Sequence, residues 1–284
     1  MITAELTRDI QERQFGATLR RDRWWVEPLV YLTILSTFIV YATAAAVFGA
    51  RDIAYGPYLT PMYSPLFLID GLPDFITPAM LVLWAPAGFR FTCYYYRKAY
   101  YRSFAAQPVA CGVGKPWKRY LGENHLLLFQ NLHRFFMYLA VIIIFILGYD
   151  AVASFIYWPA PGVPLDGAYE PIIGGASDGA HHPHHPIGGG HFGMGLGSLV
   201  LVINVILLGG YTFGCHSFRH VMGGCLDCPS RAKLGKARHG IWSWISVLNG
   251  KHMAWAWVSL IWVMLTDLYI RFCSMGIISD IRFF

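Results

Sequence analysis

GGYTFGCHSFRHVMGGCLDC, residues 209–228, closes a long apolar run and passes directly into a basic segment. At that crossing stand Cys215, His216, His220, Cys225 and Cys228. An apolar run of this kind reads as a membrane helix, and lipid offers its polar side chains no partner, so ionisable groups there mark functional sites. A buried free cysteine alone behaves as a small hydrophobe. Two histidines four residues apart on a helix are harder to assign to packing, and they point to a metal, cofactor or quinone role.

Composition sets the class. Of 284 residues, 56% are hydrophobic and 13% charged, where a soluble domain carries about a quarter charged. That deficit and the long charge-free runs predict an all-α, polytopic membrane protein. Six cysteines in a cytosol-facing pattern do not suggest a disulfide framework. The net charge of +6 sits beside the apolar runs, where cations set topology, so a nucleic-acid partner is not expected. Residues 1–26 lack a short apolar core with a small-residue cleavage site, and no cleavable signal peptide is expected.

A bundle of five transmembrane helices is predicted within residues 27–278, with spans near 28–50, 75–97, 124–158, 192–218 and 252–272. Residues 1–26 form a cytoplasmic or interfacial segment, and a short amphipathic helix lying on the membrane is expected there. The segment closes with Arg20, Arg21, Arg23, Trp24 and Trp25 as an interfacial anchor. Residues 51–73, with four prolines and several aromatics, suit an ordered loop at an interface. Pro78 and Pro86 interrupt the second span, which neighbouring helices can accommodate. The third carries His125, Gln130, Asn131, His133 and Arg134 in its first third. Residues 159–191 form an outer Gly/Pro/His-rich loop with HHPHHP at 181–186. A histidine tract can bind metal, but this one lacks cysteine and regular ligand spacing, and a solvated loop is expected. In the fourth span, Gly193, Gly197, Gly210 and Gly214 allow close helix contact.

Orientation follows from the cations. Five Lys or Arg precede the first span, six lie within 97–119 and six within 219–251, while the other two connections hold only Arg51. The positive loops are cytoplasmic, so the amino terminus is expected inside and the carboxy terminus outside. Arg90, Cys93, Asn131, His133, Cys215, His216, His220 and His252 then fall near cytoplasmic helix ends. The outer halves hold almost nothing that ligates metal: Asp267 and Arg271, four apart, suit an ion pair, and Asn204 a hydrogen bond between helices.

At about 100° per residue, His216 and His220 share one helix face while Cys215 points about 100° away from His216. GCHSFRH is therefore half a site, with partners expected from Cys93, His133 or His252. His252 shares a stripe with Ala256 and Ser259, small enough to leave room for a bulky group. Haem b between facing histidines fits these residue types, as does a Rieske-type cluster of two cysteines and two histidines. Two stacked haems would need histidines at two depths, and the outer layer lacks them. A zinc site at Cys225-x-x-Cys228 is weakly signalled by a lone pair.

FRFTCYYYRKAYYRSF (89–104), QNLHR (130–134), GCHSFRH (214–220) and TDLYIRF (266–272) together resemble the membrane-anchor subunits of bacterial succinate dehydrogenase and fumarate reductase, respiratory complex II, in their single-chain, five-span form. The resemblance covers roughly residues 75–275. It implies a multi-pass subunit of the bacterial plasma membrane that docks a flavoprotein and an iron–sulfur subunit. Electrons from succinate oxidation would reach a membrane quinone at the cytoplasmic side, menaquinone or alternatively ubiquinone. The chain has neither a dinucleotide fingerprint nor ferredoxin cysteine spacing, so those steps belong to the partners. The basic stretches 97–122 and 219–251 would form their dock, and the three-subunit unit could assemble further. With histidines at one depth only, a Rieske-type 2Fe-2S cluster is favoured over a single haem b, with Cys93, His133, Cys215, His216, His220 and His252 as candidate ligands. Tyr94, Tyr96, Arg97, Ser217 and Arg219 are the candidate quinone-binding residues by position and chemistry, a hydroxyl, guanidinium or imidazole delivering protons. The rival readings are a transporter, which should show inverted repeats and mid-membrane broken helices, and a scaffold, which would not need clustered cysteine and histidine.

Overall fold

Four of the apolar runs form helices long and apolar enough to cross a membrane among the described residues. These are α1 (Val26–Phe48), α4 (Leu126–Ile156), α5 (Leu196–Phe213) and α8 (His252–Ser274). The computed structural model describes residues 15–67, 69, 73, 75–107, 109–116, 125–159, 190–224, 230 and 233–284. Residues 1–14 of the segment expected to hold an amphipathic helix, the HHPHHP tract and the Cys225/Cys228 pair lie outside them, and residues 15–25 of that segment are not helical. The shortest of the four, α5, has 18 residues, or roughly 27 Å of rise against a hydrocarbon core of about 30 Å.

The second of the five expected spans is not among these four. Residues 75–97 do not form one helix. α2 (Pro78–Thr92) has 15 residues and α3 (Tyr94–Ser103) has ten. Between them Cys93 turns extended, at φ −65° and ψ 130°, and starts α3 afresh. The fourth run is also shorter than expected. α5 ends at Phe213, Cys215 is extended at ψ 141°, and α6 (His216–Gly223) begins as a separate helix. The basic connection that follows contains α7 (Gly235–Gly250).

The chain divides into two compact units, residues 1–39 with 90–133 and residues 40–89 with 134–284. In the first unit, the segment before α1 is tied to the loop after α3. Thr18 Oγ1 donates to the Gly112 carbonyl at 2.7 Å, and the Gly16 and Gly114 amides bond across at 3.1 and 2.8 Å. Arg102 grips Glu27 through two bonds of 2.9 Å.

In the second unit, α5 and α8 pair antiparallel. Trp262 Nε1 donates to the Val200 carbonyl at 3.1 Å, fixing their register. Nearer the α5–α6 break, the Trp255 ring packs where Gly210 has no side chain. α6 and α7 continue the pairing beyond the breaks: Arg219 Nε donates to Ser246 Oγ at 2.8 Å and stacks over Trp242, and Asn249 Nδ2 reaches the Gly214 carbonyl at 2.8 Å. At the opposite end, residues 51–67 are ordered, as their composition suggested. A two-stranded hairpin, β1 (Ala54–Tyr55) and β2 (Tyr58–Leu59), precedes a 3-10 turn over Pro61–Tyr63. Tyr58, Ala151, Trp158, Leu201 and Ile270 make the core there. Asp280 ties the tail to it, accepting from the Tyr58 and Tyr269 hydroxyls and the Gly197 amide.

Candidate functional site

The break at Cys93 divides a continuous helix into two ends that meet one stretch of α4 within the first unit. Phe91, late in α2, packs its ring 6.1 Å from that of Phe129. Arg97, in the first turns of α3, lies over the same Phe129 ring at 5.2 Å and over Tyr94 at 5.9 Å. One turn along α4 from Phe129, His133 Nδ1 is 3.0 Å from Thr92 Oγ1. Cys93 itself is buried between these elements in sequence.

Arg97 is 5% exposed, and its Nε and Nη2 have no hydrogen-bond partner. No carboxylate pairs with it among the described residues. A buried guanidinium in that state is costly unless an electron-rich group meets it. The α3 amino terminus adds positive partial charge nearby. Arg90, also buried, donates to the Tyr96 hydroxyl and stacks on that ring. Of the predicted quinone-binding tyrosines, Tyr96 is buried and engaged in this way, and Tyr94 is exposed.

In the second unit Cys215 stands outside the helix as the extended residue before α6, so the helix wheel relates only His216 and His220. Cys215 is buried and caps α6, its thiol accepting the Ser217 amide at 3.3 Å. His216 and His220 are exposed. His220 Nδ1 lies 3.4 Å from Arg134 Nη2. Arg219 is spent on Ser246 and Trp242 in α7. His252, the first residue of α8, is buried with its ring flat against Tyr211, the centroids 5.0 Å apart and the planes at 16°.

Among the described residues no three of His, Cys, Asp or Glu gather to hold a metal ion, and the expected Rieske-type cluster gains no support. Cys215 accepts the Ser217 amide at its thiol, His216 and His220 take the exposed side of α6, Cys93 begins α3, and His133 meets Thr92. Haem b gains no support from His252, whose ring face is against Tyr211.

Several residues escaped the sequence reading. Thr92 lies within a quoted motif and Phe129 adjoins one, but only tertiary contact reveals their surroundings. Asp150 directly follows the apolar LAVIIIFILGY run and is buried, accepting from the Ser64 hydroxyl. Its position at the end of that run was the available signal, and it adds a carboxyl to a half expected to hold almost none. Asn204 is fully buried as expected, yet neither amide atom makes the predicted bond between helices.

A family model described as actinobacterial succinate dehydrogenase subunit SdhC matches residues 26–161 and 180–276. Among solved structures, a chain of the Mycobacterium smegmatis Sdh1 complex in the apo form is similar, at 40% identity and a TM-score of 0.73. The match covers 97% of this chain and 96% of that one. No curated protein matches.

Proposed function

Because the chain belongs to the actinobacterial succinate dehydrogenase subunit SdhC family, we propose that it reduces a membrane quinone with electrons delivered by docked partner subunits. It is the membrane-anchor subunit of a succinate dehydrogenase, a multi-pass protein of the bacterial plasma membrane. Its partners are a flavoprotein subunit, which oxidises succinate, and an iron–sulfur subunit, which carries the electrons to the anchor. The basic stretches 97–122 and 219–251 form the dock, on the cytoplasmic side by their charge. Menaquinone is the expected acceptor.

The observation that carries the quinone reading is Arg97, buried with two guanidinium nitrogens, Nε and Nη2, unpaired. A quinone carbonyl accepts those donors, and the flat quinone ring suits the aromatic surroundings of Phe129, Tyr94 and Phe91. As two electrons and two protons convert quinone to quinol, negative charge develops on its oxygens. A fixed guanidinium in a dry site stabilises that charge without reorganising. Tyr96 lines the same layer through Arg90. His133 is the imidazole of that layer and suits proton delivery. Ser217 and Arg219 lie on α6 beside the exposed His216 and His220.

Arg97→Gln in the intact complex tests this reading. Quinone reduction should fall about tenfold to a hundredfold, the cost of losing a charged hydrogen bond. Succinate oxidation by a soluble artificial acceptor should stay at the wild-type rate. Unchanged quinone turnover in the variant would refute the assignment.

A further inference from the structure

Charge at the start of α1 sorts into a part spent inside the fold and a part left over. Arg20 holds Asp22 through Nε, at 2.6 Å, and through Nη2, and its Nη1 donates to the Cys111 carbonyl at 3.0 Å. Glu27 is taken by Arg102 from α3. Each described carboxylate of the first unit is thereby matched by one guanidinium. Arg21 and Arg23 remain. Both are exposed, and neither has a carboxylate partner among the described residues. The segment that carries them is fixed, because Gly16, Thr18 and Arg20 donate to the carbonyls of Gly114, Gly112 and Cys111. Directly along the chain the surface turns apolar: Trp25, Leu29 and Val30 are 50, 48 and 46% exposed.

We propose that the start of α1 binds the headgroup of an anionic phospholipid, with Arg21 and Arg23 on its phosphate and its chains along Trp25, Leu29 and Val30. Depth is set by the covalent chain. Arg23 precedes Val26, the first residue of α1, by three positions, a backbone reach of at most about 11 Å. Its guanidinium is therefore held at the level of the headgroups where α1 enters the hydrocarbon. A guanidinium presents paired N–H donors that match phosphate oxygens, and tryptophan favours the same interface. The order of the surfaces selects the ligand. Cations followed along one helix by half-exposed apolar side chains complement an anionic head that carries hydrocarbon. A protein docked from the aqueous side would meet the arginines but not Leu29 and Val30, which lie inside the first two turns of a membrane helix. By charge the leaflet is the cytoplasmic one, whose anionic lipids attract such cations. Arg20, beside them in sequence, serves the fold and not the lipid. The inference rests on membrane insertion of α1 and is independent of the quinone reading.

Native mass spectrometry of the intact complex, released from nanodiscs of equal phosphatidylglycerol and phosphatidylcholine, tests it. Wild type should retain phosphatidylglycerol in preference. Arg21→Gln with Arg23→Gln should weaken binding of the tightest phosphatidylglycerol on the order of 25-fold, about fivefold for each juxtamembrane cation. Arg21→Lys with Arg23→Lys keeps both charges and should hold most of the preference. Inorganic phosphate at matched ionic strength should not displace the lipid, because it brings no hydrocarbon.

Equal retention of the two lipids by the wild type would overturn the proposal. So would wild-type retention in the double glutamine variant. Loss of the flavoprotein and iron–sulfur subunits from that variant, with lipid retention unchanged, would assign the arginines to the subunit dock instead. Displacement by inorganic phosphate would remove the hydrocarbon contacts from the site. If the double variant does not assemble, Arg21→Gln and Arg23→Gln singly should each weaken retention about fivefold, and no change in either overturns the assignment.

Discussion

Arg271 Nε donates to Asp267 Oδ2 at 2.7 Å, one turn back along α8, and both side chains are buried. The Tyr41 hydroxyl donates to the same oxygen at 2.6 Å, and Arg271 Nη1 reaches the Gly49 carbonyl at 2.6 Å. The pair joins the far end of α1 to α8. Removing one member leaves the other charge buried and uncompensated, which costs about 3–5 kcal/mol. Asp267→Ala should therefore lower the thermal stability of the complex sharply. Tyr41→Phe loses one bond to a charged group, about 1.5–3 kcal/mol. Replacing Asp267 and Arg271 together by apolar residues should cost less than Asp267→Ala alone, and unfolding temperatures of the three variants will show that order or break it.

Gly210 is a packing requirement of the α5–α8 pair. A Cβ there would lie 2.7 Å from the Trp255 ring, closer than real contacts allow. Gly210→Ala should destabilise by about 1–3 kcal/mol, and Trp255→Leu in the same chain should recover part of that loss. Gly240→Ala on α7 meets nothing within 4 Å. It should be neutral or stabilising by up to about 1 kcal/mol, because alanine favours helix. Equal losses at the two glycines would contradict this account.

The hairpin end has an alkaline signature. Burial and the hydrogen bond to the Asp280 carboxylate push the Tyr58 phenol above the usual tyrosine range. A group whose folded value is raised contributes its stability fully below the unfolded value, about 10 for tyrosine, and loses it as pH climbs through the folded one. Exposed tyrosines should thus ionise first while Tyr58 stays protonated, and this end should loosen only at higher pH. Tyrosinate absorbance of wild type and Tyr58→Phe should coincide near pH ~10. A difference there would show that Tyr58 titrates normally.

His216 and His220 are exposed and one turn apart on α6, where water can exchange protons with both rings. Replacing both by alanine should abolish quinone reduction, with general acid–base losses on the order of 10²-fold or more. Succinate oxidation by an artificial acceptor should persist. Normal quinone turnover in the double variant would remove both residues from the reaction.

Apolar periodicity and length reveal the long helices because burial in lipid demands them, and the Asp267–Arg271 pair is visible because four residues make one turn. The shared face of His216 and His220 is legible for the same reason, while Cys215 departs from the helix altogether. Other features are set by tertiary contact. The break at Cys93 carries no glycine or proline to announce it, and without it Thr92 and Arg97 would be read as parts of one span. The contact from Thr92 to His133 crosses 41 residues. Residue types alone do not build a site: cysteine and histidine abundant in one layer suggested a four-ligand cluster, and no grouping of three metal-binding side chains stands among the described residues. The buried Asn204 shows the same gap, since polarity inside an apolar run identifies a site without identifying its partner.

The breaks after α5 and before α8 fall side by side, with Asn249 bridging to the Gly214 carbonyl. The contacts that fix the register of the apolar pair, Trp262 on Val200 and Trp255 at Gly210, all lie on the membrane side of those breaks. α6 and α7 are held by a separate set, Arg219 on Ser246 and Arg238 on the Met222 and Gly224 carbonyls. The hairpin is thus modular. The segment beyond the breaks can be exchanged or redesigned while the pairing in the lipid keeps its own register.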